Sequence, residues 1–563
     1  MENARTLWIA LGTLLAVSFA VLLLVGGEIY RQAPPVPERV VAADGSVIFT
    51  ASEIQRGRQV WQSFGGMQLG SIWGHGSYVA PDWSADWLHR EATAVLDAWA
   101  EREAGAASYA DLSEEEQATL RGRLETRMRR NTYDRATATI TLDMDRAAAI
   151  ETVSRHYRSL FGRDAETAEL REAYAMRDDT IPEAEGRRLL TAFFWWTAWA
   201  AATNRPDSNI TYTNNWPGEP LIGNRPPAST FLWSAFSILF LIAGIALLGW
   251  HHAVTHGRSE EPHRLPDSDP LALVRVTPSM RATAKYFWLV LALFLVQILL
   301  GAVTAHYQVE GQALYGFTLA DVLPYSLTRT WHTQLAILWI ATAWLATGLY
   351  IGPAVSGHEP KYQRLGVNVL FTCLLIIVVG SFAGQWLAVM QSLGLENNFW
   401  FGHQGWEYAD MGRFWQWFLF VGLALWLLLV GRALGPALQK GAESRSITGL
   451  LFLSTVAIGT FYAAVLFWNE HTHLSMVEYW RWWLVHLWVE GFFEVFATAV
   501  TAFLFTRLGL LQIKTATVAV LFATIVFMAG GVLGTLHHLY FSGTPTAVLA
   551  LGWIHAVRRG DGA

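Results

Sequence analysis

Trp480-Arg-Trp-Trp-Leu-Val-His486-Leu-Trp-Val-Glu490-Gly-Phe-Phe-Glu494 sits inside an apolar run from about Met476 to Phe505. The run is long enough to cross a membrane as a helix, which takes about 20 residues. On an α-helix, positions four apart share a face, so His486, Glu490 and Glu494 form one polar stripe on an apolar rod. A carboxylate in hydrocarbon is costly unless it is paired, protonated or bound to a cation. The stripe therefore needs a partner elsewhere in the chain.

The 563 residues are 53% hydrophobic and only 15% charged, with 28 Trp. A soluble domain carries about 25% charged residues, so the composition points to an integral membrane protein. The net charge of −6 averages a soluble part with a membrane part and excludes nothing by itself. The single cysteine, Cys373, rules out a disulfide, a Cys-based zinc site, an iron–sulfur cluster and a Cys-x-x-Cys-His haem attachment. Any metal must be held by His and carboxylates. No basic patch with interleaved aromatics is present, so no nucleic-acid partner is expected.

The first apolar run, Leu7 to Gly27, is too long for the core of a signal peptide and reads as a membrane anchor. A polar stretch of about 200 residues follows, enough for a compact domain. Its middle is charged and helical in pattern. Further apolar runs lie near 230–250, 284–305, 330–353, 366–392, 412–431, 447–468, 476–506 and 514–541. With the anchor they make nine expected spans. Basic residues then set the orientation. The loops after the second, fourth, sixth and eighth spans carry Arg258, Arg264, Arg275 and Arg281; Lys361 and Arg364; Arg432, Lys440 and Arg445; and Arg507 and Lys514. The intervening loops, around 309–328, 394–411 and 470–475, carry none. The amino terminus is expected in the cytoplasm and the polar domain outside.

This topology places His306, His332, Glu407, His537 and His538 near the outer ends of spans or in outer loops. His486 lies roughly 16 Å down its span at 1.5 Å per residue. His486, Glu490, His537 and His538 can thus form a three-imidazole, one-carboxylate site, which suits a first-row transition metal. Adjacent histidines on a helix point about 100° apart, so both reach one metal only if it lies between them or the helix is locally distorted. Each feature also has a plainer reading. A lone membrane histidine is more often a hydrogen-bonded core residue than a ligand. A Trp-rich stretch such as Trp480–Trp488 is more often an interfacial belt than a cofactor box, and Glu490 with Glu494 also reads as a metal-free proton path.

At these residues the sequence resembles the nitric oxide reductases of the haem–copper oxidase superfamily, through His486-Leu-Trp-Val-Glu490-Gly followed by His537-His538. The resemblance runs from the anchor to about Gly552. Trp73-Gly-His-Gly-Ser-Tyr78 and the missing haem attachment motif resemble the quinol-dependent, single-chain type. The fold it implies is an all-α polytopic haem–copper oxidase-like bundle carrying a periplasmic cytochrome c-like domain without haem. The expected divisions are 1–28 (anchor), 29–228 (outer domain), 229–552 (transmembrane core) and 553–563 (aberrant tail). The location implied is the bacterial inner membrane.

The resemblance also implies roles. His486, Glu490, His537 and His538 would hold a non-haem iron, with Glu494 as a neighbouring carboxylate and proton donor. His332 would be an axial ligand of a low-spin haem b. Glu407, with the backbones of Gly76 and Tyr78, would bind calcium, with Asp410 supporting that region. His306 and Glu310 would touch a menaquinol or ubiquinol. Electrons would pass from quinol to haem b and on to a haem b3/iron pair, where 2 NO + 2 e⁻ + 2 H⁺ give N₂O + H₂O. A homodimer is a further expected association. One departure stands out: the family continues with more spans, including a His-x-His helix that ligates both haems, whereas here the sequence after Gly552 is short and polar, with His555 in a loose tail. The chain therefore reads as truncated at its C-terminus. Two alternatives follow, a haem–copper oxygen reductase and an inactive truncated remnant. The first is opposed by Glu490 and by the lack of a tyrosine after His486.

Overall fold

Apolar stretches of membrane-spanning length satisfy their backbone polar groups in hydrocarbon only as helices or closed barrels, and a computed structural model of the chain shows helices. It describes residues 2–226, 228–255, 266–312, 314–439 and 445–556. Among the described residues, eight helices are long and apolar enough to cross a membrane: Ala4–Gln32, Pro278–Val309, Tyr325–Ser356, Gln363–Val389, Arg413–Gln439, Arg445–Phe467, Leu474–Arg507 and Ile513–His538. The remaining expected span, the second in order, falls in the 28-residue helix Ala228–Thr255, where Leu232, Ile238, Leu239, Ile242 and Leu247 are exposed. The protein is a multi-pass helical membrane protein. Arg258, Arg264, Lys440 and residues 557–563 lie outside the described residues, and residues 553–556 continue the helix Thr546–Ala556.

The bundle closes on the first span. It packs along Ile513–Gly534, and Tyr479 donates to the carbonyl of Leu22 at 2.8 Å. Gly26 makes room for that ring, since a Cβ there would lie 2.7 Å from Tyr479 Cζ. Three arginines near the ends of spans are turned inward. Arg413 donates to the carbonyls of Val465 (2.6 Å) and Trp468. Arg329 pairs with Glu407, and Arg481 with Glu478. A buried guanidinium is tolerated only with such partners.

The segment between the first span and Ala228, expected on the outer side and called the outer segment, contains the helices Ala51–Ser63, Trp83–Ala104, Glu114–Arg129, Met144–Leu160 and Ala184–Ala202. Their starts are well capped. Thr50 and Glu53 form a reciprocal capping box, and Asp82 accepts from the amides of Ser84 and Ala85. Helical periodicity missed a small mixed sheet. β1 (Arg39–Ala42), β2 (Val47–Thr50), β5 (Tyr133–Asp134) and β6 (Thr139–Leu142) pair in the order β2-β1-β6-β5, with β1 and β6 parallel. A two-residue hairpin pairs β3 (Ser71–Ile72) with β4 (His75–Gly76). Strands this short carry too few alternating positions to show in the pattern. Tryptophan fills the core: Trp83 stacks on Phe194 at 5.4 Å and Trp87 on Tyr157 at 5.2 Å. Trp61, Trp73, Trp99, Trp195 and Trp199 are fully buried as well. The core also holds an ion pair, Arg146 with Glu91 at 2.8 Å.

Candidate metal centre

The stretch around His486 is not a plain α-helix. It is α-helical from Leu474 to Trp482, π-helical from Trp483 to Phe492, and α-helical again to Arg507. The wider π turn frees side chains from the regular ladder, and such segments concentrate at functional sites. The stripe expected on one α-helical face accordingly breaks up. His486 is fully buried, the Glu490 side chain is 42% exposed, and Glu494, back in the α-helix, is exposed. Within the Trp-rich stretch Trp480 and Trp482 are partly buried. Trp483 and Trp488 are buried, and Trp488 donates to Ile458 O at 2.7 Å.

Across from His486, the span Ile513–His538 tightens to a 3₁₀ turn over Thr535–His538. This is the local distortion two adjacent histidines require. Their ring centroids lie 4.0 Å apart. Ligand atoms of His486, His537 and His538 all fall within 4.8 Å of one another. His538 Nε2 is 3.0 Å from His486 Nδ1, and Glu490 Oε2 is 2.8 Å from that same nitrogen. Tetrahedral ligands about 2.1 Å from one ion sit roughly 3.4 Å apart, so the cluster is close to metal-binding dimensions. The other face of His486 supplies the support. Its Nε2 meets the carbonyl of Gly531 at 2.9 Å, so Nε2–H is the donor there, and Nδ1 faces His538 and Glu490, where a bound cation or a shared proton reconciles it with the carboxylate. Metal-ligating imidazoles are typically held this way. The residues fit a divalent first-row metal with nitrogen and oxygen ligands.

Sequence reasoning missed the groups behind the trio. The Trp482 ring stacks on His538 at 3.9 Å between centroids and 8° between planes. The Arg481 guanidinium lies 4.5 Å from the centre of the Trp482 ring. Arg481 in turn makes two bonds to Glu478, at 2.8 and 3.0 Å, with both side chains 1% exposed. Glu478 is also 3.3 Å from His75 Nδ1. The only hint in the sequence was the i, i+3 spacing of Glu478 and Arg481.

Above this layer is a cavity of about 480 Å³ whose walls include Gly76, Tyr78, Glu407, Arg329 and Arg481. The three expected calcium-site residues are therefore brought together. Gly76 adopts φ +134, and a Cβ there would meet the carbonyls of Gly70 and Met67 at 2.7 and 2.8 Å. Only glycine brings the backbone so close to other carbonyl oxygens. An oxygen-rich wall with one carboxylate fits a hard cation. Arg329 donates to Glu407 at 2.5 Å, so any such cation competes with a guanidinium. Asp410 lies below, fully buried, accepting from Gln68 at 3.0 Å. Burial pushes its carboxyl up to about 8 and holds the neighbouring His403 down to about 3.

His332 lies apart from the trio, against the preceding span. Its Nδ1 is 2.8 Å from Gln297 O, which leaves Nε2 as the lone-pair nitrogen. Gly301 gives the ring its seat, because a Cβ there would stand 2.6 Å from His332 Cε1. An imidazole held at Nδ1 with Nε2 available fits an axial haem ligand. His306 and Glu310 meet at 2.7 Å, and both are partly exposed.

Two family models match the chain. The NorB cytochrome c-like domain of nitric oxide reductase matches residues 37–218, and cytochrome c and quinol oxidase polypeptide I matches residues 281–557. Among curated proteins, the NorB chain of the nitric oxide reductase of Stutzerimonas stutzeri is 25% identical over 280 residues, covering 49% of this chain and 56% of that protein. The chain spans about half the length of that relative.

Proposed function

We propose, for a chain that belongs to the haem–copper oxidase superfamily as a nitric oxide reductase large subunit, that it carries out quinol-dependent reduction of nitric oxide to N₂O and water. Membership implies haem and iron as cofactors. The observation that carries the reading is the trio of His486, His537 and His538 with Glu490 seated on the first of them. A carboxylate beside three imidazoles favours iron, which accepts harder oxygen ligands than copper does.

In this reading His486 binds through Nδ1 while Gly531 holds its Nε2–H. Glu490 adds negative charge that stabilises a divalent ion. Glu494 passes protons toward the site, and His306 with Glu310 binds the quinol head group and takes its protons. When bound, haem b, haem b3 and the non-haem iron supply the electron transfer. His332 would hold haem b, and Glu407 with the backbones of Gly76 and Tyr78 would hold calcium. Residues 1–28 anchor the chain, 29–228 form the outer domain and 229–552 the core. The membrane is the bacterial inner membrane, with the outer domain periplasmic. The basic residues of alternate loops, Arg275 and Arg281, Lys361 and Arg364, Arg432 and Arg445, and Arg507 and Lys514, support that orientation.

The test is Glu490→Gln in detergent-purified protein. Its non-haem iron content should fall by about tenfold or more at limiting iron, with haem content unchanged. Wild-type iron content in the variant would refute the ligand role, and wild-type protein that consumes no nitric oxide under quinol would refute the activity.

A further inference from the structure

We propose that the outer segment is a clamp on the loop that carries the His537–His538 pair, and that this is its contribution to the metal centre. The inference rests on the reading that the trio holds a metal.

The pair ends a helix and is followed directly by an irregular loop, Leu539–Pro545. That loop closes on itself, with the hydroxyls of Ser542 and Thr544 both donating to Leu539 O, at 2.9 and 2.8 Å. Phe541 sits at φ +59, a conformation a bulky residue keeps only when its surroundings hold it. The holding groups come from the outer segment, more than 300 residues earlier in the chain. His75 Nε2 meets Tyr540 O at 2.6 Å. Trp216 stacks on Phe541, 5.5 Å between centroids. Arg205 donates to Gly543 O at 3.0 Å, and also to Gln32 O at the end of the first span. Asn214 is the centre of the grip. Its amide donates to Thr544 O at 3.0 Å, and its side-chain oxygen accepts from Thr546 at 3.1 Å.

The grip is rigid at its own end. Asn214 and Asn215 are both left-handed, at φ +58 and +60, and Arg129 donates to the side chain of Asn215 at 3.0 Å. Gly543 closes the fit, since a Cβ there would meet Ser475 Oγ at 2.4 Å and Pro34 Cδ at 2.8 Å. The loop is therefore held from the outer segment by four side chains, beginning two residues after His538. A site needs its ligands held within about 0.5 Å, and a loop with only its own hydrogen bonds does not provide that.

The test uses the full chain in detergent, stripped of non-haem metal and titrated with Co²⁺, whose d–d absorption reports ligand geometry. Asn214→Gly keeps the left-handed backbone and removes both side-chain bonds. It should weaken Co²⁺ binding by about tenfold and shift the d–d bands, while near-ultraviolet tryptophan dichroism of the outer segment stays unchanged. Thr546→Val removes one of the two bonds from the other side and should give a smaller weakening with a shift in the same direction. Wild-type affinity and bands in Asn214→Gly would overturn the clamp, and so would wild-type behaviour of Thr546→Val if Asn214→Gly fails to fold. A wild-type chain that gives no Co²⁺ d–d bands sinks the metal reading itself.

Discussion

Gly301→Ala should displace His332, although the substitution is favourable by helix propensity. Alanine is better than glycine in a helix interior by about 1 kcal/mol, and Gly301 lies within the helix Ala284–Val309. Against that gain, the new Cβ would stand 2.6 Å from Cε1 and 2.9 Å from Nδ1 of His332. The ring has to retreat by about 1 Å to reach ordinary carbon contact. Its Nδ1 now sits 2.8 Å from Gln297 O, and that retreat takes the bond beyond useful length. The lost bond costs about 0.5–1.5 kcal/mol, and overpacking about 1–3 kcal/mol. Destabilisation wins, by about 1–3 kcal/mol net. Unfolding of the purified protein in mixed micelles measures this part, which is steric and independent of any haem. The second readout is the reduced-minus-oxidised optical spectrum. If His332 is the axial ligand, the low-spin haem b band should weaken or shift in the variant. Wild-type stability together with a wild-type band would refute the reasoning. Altered stability with an unchanged band would leave the packing effect standing and remove His332 as a ligand.

Glu478→Ala leaves the Arg481 guanidinium buried and unbalanced, with both partners now 1% exposed. It should cost about 3–5 kcal/mol, and a loss below about 1 kcal/mol in the same unfolding assay would show that the pair is not buried as described. Asp410 supplies a pH signature. Its folded carboxyl is pushed up to about 8, against about 4 in an unfolded chain. The unfolded state gives up its proton first, so the contribution is full below about pH 4 and is lost as pH rises toward 8. Below about pH 6.5 the neighbouring His403, held down to about 3, acts in the opposite sense, so unfolding midpoints should fall chiefly between about pH 6.5 and 8.5, and Asp410→Asn should flatten that slope; an equal slope in the variant would exclude Asp410 as its source. His306→Ala should slow quinol oxidation and leave metal and haem content at wild-type levels, because its ring meets Glu310 at the end of a span and lies apart from the trio. Loss of metal in that variant would contradict the assignment.

Several features were legible without coordinates because each rests on a one-dimensional rule. Eight of the nine expected spans, with their approximate limits, followed from apolar length, since a bilayer of fixed thickness demands a helix of fixed length. The ligand types followed from elimination: with Cys373 the only thiol, only imidazoles and carboxylates remained. That His486, Glu490, His537 and His538 lie at one depth followed from counting residues along spans of alternating direction. Other features depend on how helices pack and depart from ideal geometry. Periodicity assumes 3.6 residues per turn, so the π-helical turn at Trp483–Phe492 and the 3₁₀ turn at Thr535–His538 were invisible to it. The first takes Glu494 out of the stripe, while Glu490 still meets His486 at 2.8 Å, and the second brings both adjacent histidines to one centre.

Residue pairs distant in sequence lay beyond any local pattern. His75 with Glu478, Trp482 with His538, and Asn214 with Thr544 are set by docking of the outer segment on the bundle. The sequence by itself determined a multi-pass helical membrane protein and the chemistry its buried polar residues can perform. Only the tertiary structure decided which of those residues meet and what holds them, because a contact between distant segments depends on the packing of every element between them.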